Sequence, residues 1–205
     1  MGKRTTSALC VLAVGLLAGC AAEGGEPVAE VAEPEVPAFH FASGTLELGD
    51  FDPDTLGDNL FDPCTEISAE EYAAAGMTGV ESLEPRQAIG EEVSRDCSVD
   101  DLEDGITQLV SATRTNLDVT TAALANDEVD FPVSAVPGLF THRNKSINDE
   151  MCVAQVDTRR GGLAVGISLR GVKKSQYDPC ELATGQLESL YGASTQNRKS
   201  ANDRS

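Results

Sequence analysis

A chain of 205 residues with 34 acidic and 15 basic side chains carries a formal charge of −19. So acidic a surface repels phosphate backbones and anionic head groups, which argues against a nucleic-acid-binding role. Tryptophan is absent and aromatic residues make up 4% of the chain, which argues against a sugar site built on stacked rings.

The chain opens with Lys3 and Arg4, followed by an apolar run from Ala8 to Leu17. That run is too short to cross a hydrocarbon core, which needs about 20 apolar residues. A positive start, a short apolar run and then small residues form the pattern of a cleaved export signal. Leu17-Ala18-Gly19-Cys20 resembles the bacterial lipobox. There, small residues fit the peptidase site and the cysteine is acylated to become the first mature residue. Residues 1–19 are therefore expected to be a lipoprotein signal peptide, and Cys20 the lipidation site and membrane anchor. Two or more acyl chains suffice for stable anchoring. Loss of Lys3 and Arg4 makes the mature chain still more acidic.

Residues 20–38 read as an acidic, Pro-rich tether. Ala21 to Pro37 holds five glutamates and three prolines with no apolar periodicity. Such a segment cannot bury enough surface to offset its ordering entropy, so disorder is expected. In polyproline form it reaches about 50 Å, enough to hold a domain off a membrane. Residues 39–193 are expected to form one folded domain, and 194–205 a disordered polar tail.

In that domain Phe39, Phe41, Leu46 and Leu48 suggest an extended segment broken near Gly44. Residues 49–59 read as a loop. Asp50, Asp52 and Asp54 resemble the start of a calcium loop. However, Thr55 stands where the sharp turn needs glycine and Phe61 where a bidentate acid is needed. Asp62-Pro63 predicts a helix start with Cys64 in its first turn. Ser68 and Glu71 form a capping-box pattern for a second helix, closed by Gly76. Residues 77–91 read as loop. Val93 to Val99 and Ile106 to Val110 are expected strands around an acidic turn at 100–105, and Leu117 to Ala125 a short helix. Phe131 to Phe140 contains Pro132 and Pro137, which suits an edge strand or loop. Met151 to Val156 and Leu163 to Leu169 alternate as a hairpin across Arg159-Arg160-Gly161-Gly162. Cys152, Ala154 and Val156 would share the core face with Leu163, Val165, Ile167 and Leu169. Tyr177-Asp178-Pro179-Cys180 then repeats the earlier helix start, with Leu182, Ala183, Leu187 and Leu190 at helical spacing up to Gly192.

Six cysteines are present. Cys10 falls in the signal and Cys20 is the lipid site. Cys64, Cys97, Cys152 and Cys180 remain, and an even number in an exported domain reads as two disulfides. Three connectivities are possible; the local pairing, Cys64–Cys97 with Cys152–Cys180, is favoured. A metal site lacks close Cys-x-x-Cys spacing, and only His40 and His142 could assist.

Taken together, the lipobox cysteine, the acidic tether, Asp62-Pro63-Cys64 before a helix ending at Gly76, Cys97, Cys152 in a hairpin and Asp178-Pro179-Cys180 occur in a telling order. Over residues 60–192 the chain resembles a family of actinobacterial lipoproteins whose shared domain is of unknown function; the opening at 39–59 lies outside that pattern. The resemblance implies an extracytoplasmic, membrane-attached location. It also implies an α+β fold: a single small domain with helices packed on an antiparallel sheet. It supplies no activity.

No Gly-rich phosphate loop and no nucleophile elbow occurs. His40 and His142 read as surface or strand histidines. Glu70/Glu71 and Glu91/Glu92 read as surface acids, and Arg143, Lys145, Arg159 and Arg160 as solvated basic spots. No cofactor, metal or catalytic residue is implied. The expected function is a non-catalytic, membrane-anchored interaction module of the cell envelope that binds another envelope protein. The alternative is a carrier or sensor of a small apolar ligand.

Overall fold

Two short helix starts and one long hairpin organise the domain. The computed structural model describes residues 35–88, 91–100, 104–123, 129–143 and 150–202. The signal, Cys20 and most of the tether lie outside the described residues, as do Glu23, Lys145 and the chain end.

Strands β1 (Ala38–Phe41) and β2 (Gly44–Glu47) pair as a hairpin that buries Phe39, Phe41 and Leu46. The break falls at Ala42–Ser43, close to where Gly44 placed it, and the domain begins one residue earlier than expected. A strap follows and contains a short 3-10 turn at Gly57–Asn59. Helix α1 (Pro63–Glu66) starts as predicted: the Asp62 side chain accepts from Cys64 N at 3.0 Å. Helix α2 (Ala69–Ala74) has the full capping box of Ser68 and Glu71, and Gly76 ends it at φ +81°.

Within the loop expected at 77–91, residues 77–88 are not all loop. They hold β3 (Thr78–Ser82) and β4 (Arg86–Ala88), both paired to β5 (Glu91–Asp100). No residue of β3 is fully buried. Alternating burial is what writes a strand pattern into sequence, so this edge left none. Next come β6 (Ile106–Thr113) and the short helix α3 (Leu117–Ala123). They are followed by β7 (Val129–Asp130), β8 (Phe140–His142), β9 (Met151–Thr158) and β10 (Gly161–Leu169). Between β7 and β8 the chain is loop, as the prolines require.

β9 and β10 meet through Arg159-Arg160 alone, with Thr158 paired to Gly161. Only Gly161 takes a positive φ, +102°. Gly162 is a strand residue. A Cβ there would lie 2.4 Å from Gln155 Nε2, so its need for glycine is close packing rather than turn geometry.

Apart from the β1–β2 hairpin, the described strands form an eight-stranded antiparallel sheet in the order β3-β5-β6-β10-β9-β8-β7, with β4 also on β5. Helix α4 (Pro179–Asn202) crosses one face. Its Ala183, Leu187 and Leu190 are fully buried with Leu163, Val165, Ile167 and Leu169 of β10 and with Ala154 and Val156 of β9. These are the core faces that alternation predicted. The helix does not stop at Gly192: residues 194–202 are helical, not the expected tail. Glycine in a helix interior costs about 1 kcal/mol. Here Ala193 and Ser194 are buried beyond it, Tyr191 meets Phe39 edge-on at 5.1 Å, and Ser194 and Thr195 bond back to Tyr191 O and Gly192 O. That packing outweighs the propensity.

Two disulfides staple helix starts to strands. Cys64–Cys97 ties α1 to β5, and Cys152–Cys180 ties β9 to α4, with Cα separations of 5.6 and 5.0 Å. Each Asp-Pro-Cys works alike: Asp178 Oδ1 accepts from Cys180 N at 2.7 Å, as Asp62 does from Cys64 N. Arg143 adds an ion pair in which Nη2 donates to both Asp178 carboxylate oxygens.

Candidate functional site

The registers place two kinds of surface on the sheet. One side is the apolar layer under α4. The opposite side carries, in register across β4, β5, β6, β10 and β9, the row Arg86, Ser94, Thr113, Gly162 and Asp157. The next row is Asp96, Ser111, Ala164, Gln155 and Phe140, and the one after is Ser98, Leu109, Gly166, Val153 and His142. Along β10 the outward residues are thus glycine and alanine. With at most a methyl group each, they leave a trough down the central strand, between taller walls on either side.

α3 roofs one end of this trough. Gln155 is buried, and its Nε2 donates to Thr115 O at 2.6 Å and to Asp157 Oδ1 at 3.1 Å. Asp157 Oδ2 in turn accepts from Leu117 N, the first residue of α3, at 2.9 Å. The space beneath α3 is a half-open cavity of about 200 Å³. Thr113, Thr115, Thr120 and Gln155 make its polar end; Leu109, Met151 and Val153 make its apolar end. Arg86 and His142 stand at opposite rims.

The charges around it are compensated in different ways. Asp96 is buried and takes Arg86 Nε at 2.7 Å and Ser94 Oγ at 3.0 Å. Burial pushes the Asp157 carboxyl upward, against the two donors that hold it down. Burial pushes His142 below its ordinary value, so the ring is neutral at pH 7, stacked on Phe140 with 6.2 Å between centroids. The Asp96 and His142 strands are four strand spacings apart, about 19 Å, so these two groups cannot share a proton.

The histidine shift has a measurable consequence. Between the depressed folded pKa and the ordinary 6.5, the unfolded chain binds a proton that the folded one does not. Stability therefore rises with pH through that window and is lost as pH falls through 6.5. Histidine NMR titration should place the His142 midpoint below 6.5, and His142→Gln should flatten the slope of denaturation midpoint against pH between 5 and 7. A His142 midpoint at or above 6.5 refutes the burial argument.

A second concavity lies at the other edge of the sheet. It is a groove of about 550 Å³ between residues 130–133 and the first half of α4. Glu181, Thr184, Gly185 and Glu188 make one helix stripe along it. Glu188 Oε1 accepts from Ser134 Oγ at 2.8 Å and from Ala135 N at 2.9 Å, which pins the loop to the helix. Phe131 and Val133 stand in solvent on the loop side, 65% and 104% exposed.

The residues weighed from sequence fall elsewhere. Cys64, Cys97, Cys152 and Cys180 are consumed by the staples. Glu71 is not a surface acid: it is buried, and it accepts from Ser68 N and from Ala42 N at 2.7 Å, joining α2 to the first hairpin. Arg159 is exposed as expected but is not idle, and Arg160 is half-buried rather than a solvated spot. Arg160 makes a bidentate pair with Glu66 and lies 5.4 Å from the Phe61 ring centre, while Arg159 Nη1 donates to Asp50 O. Both clamp the strap over the β9–β10 turn. Among Asp50, Asp52 and Asp54, Asp52 closes its own turn onto Asp54 N, and among the described residues no group of three or more such ligands could hold a metal. Of the residues weighed, the trough takes only His142. It was missed because its members lie on five different strands, in one loop and on α3.

No helix among the described residues is long and apolar enough to cross a membrane. No curated protein and no solved structure matches the chain. A family model described as protein of unknown function (DUF3558) matches residues 15–192. The match reaches further back than the resemblance read from the cysteine motifs, and so includes the opening at 39–59. The chain belongs to the DUF3558 family.

Proposed function

We propose that this protein is a lipid-anchored lipoprotein of the cell envelope, acylated at Cys20, and that it serves there as a non-catalytic interaction module. Leu17-Ala18-Gly19-Cys20 supports the anchor, and two disulfides suit an oxidising compartment. The observation that carries the interaction reading is the groove beside α4. Phe131, tilted against the Phe140 ring, and Val133 are exposed apolar side chains at the edge of a concavity, the kind of surface that meets partners. Cross-linking in intact cells tests it. A partner protein should be recovered with the parent chain and lost with Phe131→Asp/Val133→Asp. Recovery of no specific partner, or undiminished recovery with the variant, refutes it.

A second reading is favoured by the trough: carriage of a small ligand, held by its apolar end against Leu109, Met151 and Val153. Native mass spectra of the exported chain, released by Cys20→Ser, should then show mass beyond the polypeptide that organic extraction removes. A bare polypeptide mass refutes carriage.

A further inference from the structure

The groove beside α4 has a composition that specifies its occupant, and this inference rests on the interaction-module reading. Among the described residues its charged lining is acidic only: Asp130 on the sheet edge, and Glu181 and Glu188 on the helix. Between the acids lie Phe131 and Val133, while Gly185 forms part of the opposite wall.

Gly185 is the informative position. It lies in the middle of a helix, without a positive φ, where alanine would be more stable by about 1 kcal/mol. A Cβ placed there meets nothing within 4 Å, so packing inside this protein does not require glycine. What its missing side chain does is keep the groove open opposite Phe131 and Val133. Burial of uncompensated carboxylates under an apolar partner would be costly, whereas lysine or arginine flanking an apolar side chain would satisfy both walls.

We infer that the groove between residues 130–133 and α4 docks a segment of a partner protein in which Lys or Arg flanks an apolar side chain. The segment's apolar side chain would lie between Phe131 and Gly185, and its cations would reach Glu181 and Asp130. Glu188 already holds Ser134 and Ala135, so it contributes field more than a free acceptor.

Two synthetic dodecapeptides test this, one alternating Lys with Leu and one alternating Glu with Leu. They are titrated into the full chain carrying Cys20→Ser and followed by amide NMR. The Lys-Leu peptide should shift residues 130–133 and 180–188. Gly185→Leu, which fills the groove with a good helix former and so keeps the fold, should abolish those shifts. Glu181→Lys should weaken binding about 10-fold, an effect that fades with added salt. Equal binding of both peptides in the groove overturns the charge argument while leaving an apolar interaction surface standing. Absence of localised shifts with either peptide, or shifts that survive Gly185→Leu, overturns the site itself.

Discussion

Replacing Cys64 and Cys97 together by serine should cost about 3.5 kcal/mol of stability, and replacing Cys152 and Cys180 about the same. The separations are 33 and 28 residues, long enough for each crosslink to remove substantial entropy from the unfolded chain. A domain of this size has a total stability of about 5–15 kcal/mol, so full reduction should bring it close to unfolding at physiological temperature. Urea denaturation of the oxidised chain, of each double variant and of the reduced chain measures this. A loss below about 1 kcal/mol in either variant would mean that the helix start stays docked without its staple. The two are not equivalent in what they hold. Cys64–Cys97 anchors a four-residue helix, which has little packing of its own. Cys152–Cys180 anchors α4, which is also held by its buried Ala183, Leu187 and Leu190. Without its crosslink the first region should lose hydrogen-exchange protection locally, while the second should lose stability globally.

Phe39→Ala should cost about 4 kcal/mol, the largest effect expected of a single core truncation. Phe39 is fully buried. Its ring stacks on Phe41 at 5.6 Å and receives the edge of Tyr191 at 5.1 Å. It therefore links the first hairpin to the second half of α4, two elements that the sheet does not otherwise join. Removing it empties a ring-sized space that Phe41 and Tyr191 cannot both close. Thermal denaturation should show the drop, and amide exchange should show residues 191–196 opening ahead of 183–190. A loss under about 1.5 kcal/mol, or uniform opening along α4, would show that the late turns are held by other contacts. The same argument explains why the helix runs past Gly192.

Much of the local architecture was legible because it rests on neighbouring residues. Asp62-Pro63 and Asp178-Pro179 each set a helix start by capping and a fixed φ, whereas the third such pair, Asp52-Pro53, closes only a turn. The capping box at Ser68 and Glu71 spans only two intervening residues. The alternation in β9 and β10 survives because each has one face in the core and neither tolerates a one-residue slip. Cysteine number and an export-type leader pointed to two disulfides, and the local pairing is the one the structure contains.

What sequence could not determine depends on residues far apart in the chain. β3 and β4 exist because β5 offers them an edge, not because their own residues alternate. Glu71 became a buried junction because the first hairpin brings Ala42 N to its carboxylate across 29 positions. Arg160 became a clamp because the turn it occupies lies beside Phe61 and Glu66. The trough is a property of strand order: it needs β6, β10 and β9 side by side, so that Gly162, Ala164 and Gly166 line up between taller neighbours. By itself the sequence determined helix starts, core faces and the number of staples, since these follow from bonded geometry and local periodicity. Only the tertiary structure decided where the cavities lie and which charges meet, because those follow from the register between strands distant in the chain.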